Sequence, residues 1–207
     1  MKNLKNIKNL KKKIFGIALV VGLLVISIVS TTMAYFTDTD KATHTFTSGK
    51  VDIEFTSDVL IDDDGNSETF TSVRPTQKLA GAASVLNKGS EDAYVGIVIT
   101  FNKAVANASQ LFTNLGGDDF TVKYSADNKN IFVVYNEETI KDQTIQFFEG
   151  VTVPAAWGNT EMTVFGAEGL NITVKAYATQ TFGFTAGAVD ALKMAFKDTV
   201  WDTMPTN

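Results

Sequence analysis

Asn171-Ile172-Thr173-Val174-Lys175-Ala176-Tyr177-Ala178-Thr179 decides the fold class. Ile172, Val174, Ala176 and Ala178 fall on one face, and Thr173, Lys175, Tyr177 and Thr179 on the other. A period of two belongs to a strand with one buried and one outward face. Ala93-Tyr94-Val95-Gly96-Ile97-Val98-Ile99-Thr100-Phe101 repeats it, with Ala93, Val95, Ile97, Ile99 and Phe101 inward. Val51-Asp52-Ile53-Glu54-Phe55-Thr56 alternates throughout. Shorter candidate strands lie at 84–87, 120–124, 131–135, 145–148 and 151–153. Turn-forming runs separate them: Asp64-Gly65-Asn66, Asn87-Lys88-Gly89, Ala126-Asp127-Asn128 and Glu149-Gly150.

Two helices interrupt the strands. Residues 104–115 carry Val105, Ala108, Leu111, Phe112 and Leu115 at helical spacing, and Gly116-Gly117 provides a stop. Residues 186–200 place Val189, Leu192, Phe196 and Val200 on one face, with Thr185 as the candidate N-cap. The fold class is therefore all-β: a jelly-roll-like antiparallel β-sandwich with two short covering helices.

The region before the strands has a different character. Residues 1–13 hold six lysines and no acid, residues 14–29 are uncharged and mostly apolar, and Ser30-Thr31-Thr32 follows. This is the layout of a secretory signal peptide over residues 1–34, with Thr32 and Ala34 at the −3 and −1 positions of a cut between Ala34 and Tyr35. The apolar run falls short of the about 20 residues of a spanning helix. The alternative is an uncleaved anchor, the chain's one expected membrane contact. Either route leaves the chain after Tyr35 outside the cytoplasm. The expected layout is a signal peptide at 1–34, an N-terminal tail at 35–48 and a sandwich domain at 49–207.

The whole chain carries 18 basic and 23 acidic residues, a formal charge of −5. Cleavage removes six basic residues and no acids, leaving 12 against 23, or −11. Such a surface repels nucleic acid. There is no cysteine, which excludes thiolate zinc sites and cysteine catalysis. His44 is the one histidine, so no motif needing two histidines exists, and a Ser-His-Asp triad would have to be built on it.

Few residues invite site chemistry. Asp62, Asp64 and Asn66 match the first three ligand positions of a calcium loop, but Ser67 stands where its glycine belongs and Val73 where its closing glutamate belongs. Calcium is the one cofactor that this run suggests; a solvated acidic hairpin is the competing reading. The pairs Asp118-Asp119 and Glu137-Glu138 are adjacent carboxylates, a spacing that tends to point side chains apart. Asn107-Ala108-Ser109 and Asn171-Ile172-Thr173 match the glycosylation sequon by chance.

The order of several segments resembles one family. Ala34-Tyr35-Phe36-Thr37-Asp38-Thr39-Asp40, then Phe46-Thr47-Ser48-Gly49-Lys50-Val51-Asp52-Ile53, resembles the cleavage region of proteins processed by a SipW-type signal peptidase. Val85-Leu86-Asn87-Lys88-Gly89-Ser90-Glu91-Asp92-Ala93-Tyr94-Val95, Gly150-Val151-Thr152-Val153-Pro154, and residues 172–180 with Gly183-Phe184 are similar to later strands of the same proteins. These are the TasA and camelysin (CalY) proteins of Gram-positive bacteria. The resemblance implies a secreted jelly-roll protein of the cell surface or extracellular matrix. For the TasA branch it implies a pilus-like biofilm matrix fibre built by donor-strand complementation, a head-to-tail homopolymer whose partner is itself. The donor would be residues 35–47, with Tyr35, Phe36 and Phe46 as aromatic anchors and Thr37, Thr43, Thr45 and Thr47 as β-branched positions. An open sheet edge favours this, because its unpaired N–H and C=O groups accept a neighbour's extended peptide. The opposing outcome is that the tail folds back on its own domain as an edge strand. For camelysin the resemblance implies a metallopeptidase, yet no His-Glu-x-x-His helix is present, so the expectation is a chain without enzymatic activity. A monomeric surface-binding module, calcium-dependent through residues 62–68, is the third reading.

Overall fold

The computed structural model describes residues 37–39, 51–56 and 67–205, all within one compact unit, Thr37–Asn207. The expected antiparallel β-sandwich with two short helices is what forms. Its spine is β12 (Leu170–Gln180), paired antiparallel with β6 (Ala93–Phe101) in nine steps from Ile172↔Phe101 to Gln180↔Ala93. Beyond β6 lie β9 (Asn130–Tyr135) and then β8 (Phe120–Tyr124) at one edge. On the other side of β12 lie β3 (Ser67–Phe70) and β1 (Thr37–Thr39), completing a six-stranded sheet.

Two smaller sheets form the facing layer. One orders β10 (Thr144–Phe148), β5 (Ala83–Asn87) and β2 (Ile53–Phe55); the other orders β4 (Lys78–Ala80), β11 (Gly150–Thr152) and β7 (Phe112–Thr113). The alternation read in the sequence builds the core between the layers. Ala93, Val95, Ile97, Ile99 and Phe101 of β6 and Ile172, Val174, Ala176 and Ala178 of β12 pack with Val85, Ile145, Phe147 and Val151. Burying such side chains at about 25 cal/mol per Å² of apolar surface is what holds the layers together without a disulfide.

The opposite face of the large sheet is not open to solvent, contrary to the alternation read for Tyr177 and Thr179. Both are buried. A short α1 (Asn159–Met162) lies elsewhere, while α2 (Ala188–Ala195) and a 3-10 turn at Val200–Thr203 cover this face. Tyr177 meets Phe196 at 5.0 Å and Trp201 at 5.5 Å, both edge-on, and Trp201 meets Phe132 at 5.5 Å. Each such aromatic pair adds roughly 0.5–1.5 kcal/mol beyond area burial. Burial also raises the pKa of the Tyr177 hydroxyl. The central strand β9 is therefore buried on both faces, which is why Ile131-Phe132-Val133-Val134 reads as an unbroken apolar run. Gly96 makes the close approach possible: a Cβ there would stand 3.0 Å from Leu192 Cδ1 and 3.1 Å from Trp201 Cη2.

Two local expectations change. The helix expected over 104–115 closes only one 3-10 turn, Ala108–Leu111, before Phe112–Thr113 joins a sheet. The apolar spacing there reflects burial under the core rather than a continuous helix. The second helix begins after Gly187, at φ +84°, and not after Thr185.

Candidate functional site

The outer edge of β12 is where the fold is least self-contained. Along its inner side β12 is paired with one long strand. Along its outer side two short strands share it. β3 pairs with Leu170–Thr173, from Leu170↔Phe70 to Thr173↔Ser67. β1 pairs with the far end, as Thr37↔Thr179, Asp38↔Ala178 and Thr39↔Tyr177. Between them Val174, Lys175 and Ala176 are in register with β6 but, among the described residues, with neither β1 nor β3. Of the tail, only Thr37–Thr39 is described, and these three residues lie as an edge strand on their own domain. The other tail positions singled out in the sequence, Tyr35, Phe36, Thr43, Thr45, Phe46 and Thr47, and the cut after Ala34 lie outside the described residues.

The segment re-enters the described structure at Val51, where it is firmly held. β2 pairs with β5 in three steps, Ile53↔Asn87 to Phe55↔Val85. The carbonyl of Asp52 accepts from the backbone N–H groups of Lys88 at 2.7 Å and Gly89 at 3.0 Å. Glu54 and Lys88 form an exposed ion pair. Asn87 organises this corner. It is fully buried, and its Nδ2 donates to the carbonyls of Glu91 (3.0 Å) and Thr139 (2.8 Å) while its Oδ1 accepts from Gly89 N–H (2.9 Å). The sequence marked Asn87-Lys88-Gly89 as a turn; nothing in it showed that the asparagine would be a buried clamp.

The other candidates do not converge. Asp118, Asp119, Glu137 and Glu138 are exposed, although the Asp119 carbonyl accepts from Asn136 N–H and so brings the two acidic turns to one end of the sheet. Glu138 and Glu137 stand close enough to Tyr94 to add to burial in raising its pKa. Among the described residues no three His, Cys, Asp or Glu side chains come together as metal donors. His44 and the calcium-loop residues Asp62, Asp64 and Asn66 lie outside the described residues. Ser67 and Glu68, at the end of that acidic run, belong to β3. Asn171 of the second sequon sits in β12, its amide donating to Thr69 Oγ1 at 3.0 Å.

A strand-closed sheet edge with an extended segment preceding the sandwich agrees with the order of motifs in the sequence. The family described as camelysin metallo-endopeptidase matches residues 9–197, most of the chain. The chain belongs to the camelysin metallo-endopeptidase family. Membership supports a cell-surface protein of the camelysin and TasA kind. No curated protein and no solved structure matches. The family's name implies a catalytic metal, and the donor set present does not fit one: peptidase zinc is held by two or three histidines, and this chain has one. Among the described residues no helix is long and apolar enough to cross a membrane.

Proposed function

We propose that this camelysin-family chain is a secreted structural subunit, without enzymatic activity, that assembles into extracellular fibres by exchanging its N-terminal strand. The observation that carries the reading is β1 lying on the outer edge of β12. Ordering three residues costs roughly 1–2 kcal/mol each. A few ladder hydrogen bonds return about 0.5–1.5 kcal/mol each. The two nearly cancel, so β1 exchanges easily against the same strand of another copy. In a second molecule the same register is available, and the flanking aromatics Tyr35, Phe36 and Phe46 add contacts that three threonine-rich residues lack. Because donor and acceptor lie at different places on the subunit, the contact is head-to-tail and propagates. On this reading a SipW-type signal peptidase cuts after Ala34, and the freed residues 35–48 become the donor.

The test is electron microscopy of the mature chain beside one that starts at Gly49. Fibres are expected only from the first. If both form them, or neither does, strand exchange by this tail is wrong. The second reading, favoured by the family's name, is a cell-surface metallopeptidase. Proteolysis that a chelator and His44→Ala both abolish would establish it. Heat on calcium titration, lost on replacing Asp62 and Asp64, would mark the chain as a calcium-dependent surface module instead.

A further inference from the structure

An open pocket of about 260 Å³ lies where the Ala108–Leu111 turn meets the β8–β9 hairpin. Its polar lining comes from Asn107, Ser109, Tyr124, Asn128 and Asn130. Its apolar floor comes from the edges of Val105 and Ile131. None of these lining side chains carries a charge at neutral pH. Tyr124 is 43 % exposed although it ends a strand. Asn107 and Asn128 both adopt left-handed backbone, φ +56° and +54°, a conformation asparagine tolerates better than most residues.

Most of the polar side-chain groups here are not engaged by other described residues. Asn130 is nearly buried, and its Oδ1 accepts from Thr100 Oγ1 at 2.9 Å, leaving its Nδ2 donors without a partner among the described residues. The side-chain amides of Asn107 and Asn128, the Ser109 hydroxyl and the Tyr124 hydroxyl make no hydrogen bond to another described residue. Asp127, the nearest acid in the turn, is occupied by Ser125 at 2.6 Å and the Lys129 N–H at 3.1 Å. Two side-chain amides offering donor and acceptor together, with the Nδ2 donors of Asn130, beside an accessible aromatic ring match one ligand chemistry. Sugar hydroxyls also donate and accept, and the C–H face of a sugar ring packs on an aromatic face. The absence of charge from the lining disfavours phosphate and carboxylate ligands. The volume falls just below the roughly 300–1,000 Å³ of sites that engulf a small molecule. It suits one ring of a longer chain.

We propose that this pocket binds one neutral sugar unit of a polysaccharide. Strand order places it on the β8–β9 side of the large sheet, with β6 and β9 between that edge and β12. The site is therefore separate from the β12 edge, and the inference does not rest on fibre assembly. The test is calorimetric titration of the full-length chain with three probes: neutral oligosaccharides of glucose, of galactose and of N-acetylglucosamine. At least one is expected to saturate at one site per chain, and its monosaccharide to bind more weakly. Asn128→Gly keeps the left-handed backbone while removing the amide, and it should weaken binding about tenfold, the scale of one lost hydrogen bond. Tyr124→Ala should do at least as much, whereas Tyr124→Phe, which keeps the ring, should change it far less. No saturation by any of the three, or binding that survives both Asn128→Gly and Tyr124→Ala, overturns the proposal. Should Tyr124→Ala fail to fold, the glycine variant decides alone.

Discussion

The two edges of the large sheet are closed by opposite strategies. At one edge β8 is tied to its neighbour β9 by a short hairpin, with five registered pairs from Phe120↔Tyr135 to Tyr124↔Ile131. The turn is locked from within: Ser125 N–H donates to the Asn130 carbonyl at 3.0 Å, and Asn130 N–H returns a bond to Ser125 Oγ at 2.9 Å. Phe120 adds ring contacts to Tyr135 at 5.2 Å and Phe147 at 5.5 Å. At the other edge β12 is covered by two short strands, β3 and β1, of which β1 is three residues long and distant from it in sequence. Local closure is cheap in chain entropy and hard to exchange, because its partner is always at hand. Remote closure by a short strand costs more for fewer contacts, and on the proposed reading an identical strand from another chain replaces it. The difference teaches which edge is held locally and which, on the proposed reading, is open to exchange.

Paired prolines break the comparison most directly. Adjacent residues alternate sides of a ladder, so a double substitution removes at least one inward N–H. Val122→Pro with Lys123→Pro should lower stability by about 3 kcal/mol or more, because β8 loses ladder bonds and Val122 its place against the core. Thr37→Pro with Asp38→Pro should cost less than about 1 kcal/mol, by the near-cancellation of ordering and bonding, while abolishing fibres. Urea unfolding midpoints give the first quantity and electron microscopy the second. Equal losses of stability at the two edges would mean that β1 is an integral strand and not a loan.

A smaller effect is expected at the corner where the chain re-enters the sandwich at β2. Asn87→Ala strips partners from the Glu91 and Thr139 carbonyls and from Gly89 N–H, at a cost of about 1–3 kcal/mol. Thermal unfolding measures it. Fibres should still form below the lowered midpoint, since the clamp ties Gly89, Glu91 and Thr139 together and makes no bond to β1. Loss of assembly with stability intact would move the working part from the tail to this corner.

The strands of the core were legible because alternation and burial obey the same period. β6, β8 and β12 fall within a residue of where the side-chain pattern puts them. The elements that were not legible are short and answer to distant partners. Ser67–Phe70 carries no pattern of its own and is a strand only because β12 offers an edge; Lys78–Ala80 and Phe112–Thr113 are strands because β11 does. Tyr177 was read as outward because a period of two reports which face a residue is on, and not whether a helix covers that face. At the candidate site, the tail and its aromatics were visible in the sequence. The β12 edge proposed as acceptor was not, because an edge is a property of strand order, which no single segment encodes.

The smallest effect sharpens the locally closed edge through pH. Asp127 accepts from Ser125 Oγ and from Lys129 N–H, and these bonds, the serine's first, hold its pKa below the ordinary 3.8. A carboxyl whose folded value is depressed stabilises the fold above its unfolded value, and that contribution is lost as pH falls through the folded one. Asp127 is fully exposed, so the effect is modest and screened. Wild type should therefore be more stable than Asp127→Ala at neutral pH, and the gap should close only as pH drops below about 3.8. Urea midpoints of both chains between pH 7 and pH 2 would show it. Amide exchange should localise the loosening to residues 120–135, with Thr37–Thr39 unchanged between the two proteins. Exchange at β1 that tracked Asp127 would mean that the two edges share one cooperative unit, and the contrast between a fixed and a tradable edge would fail.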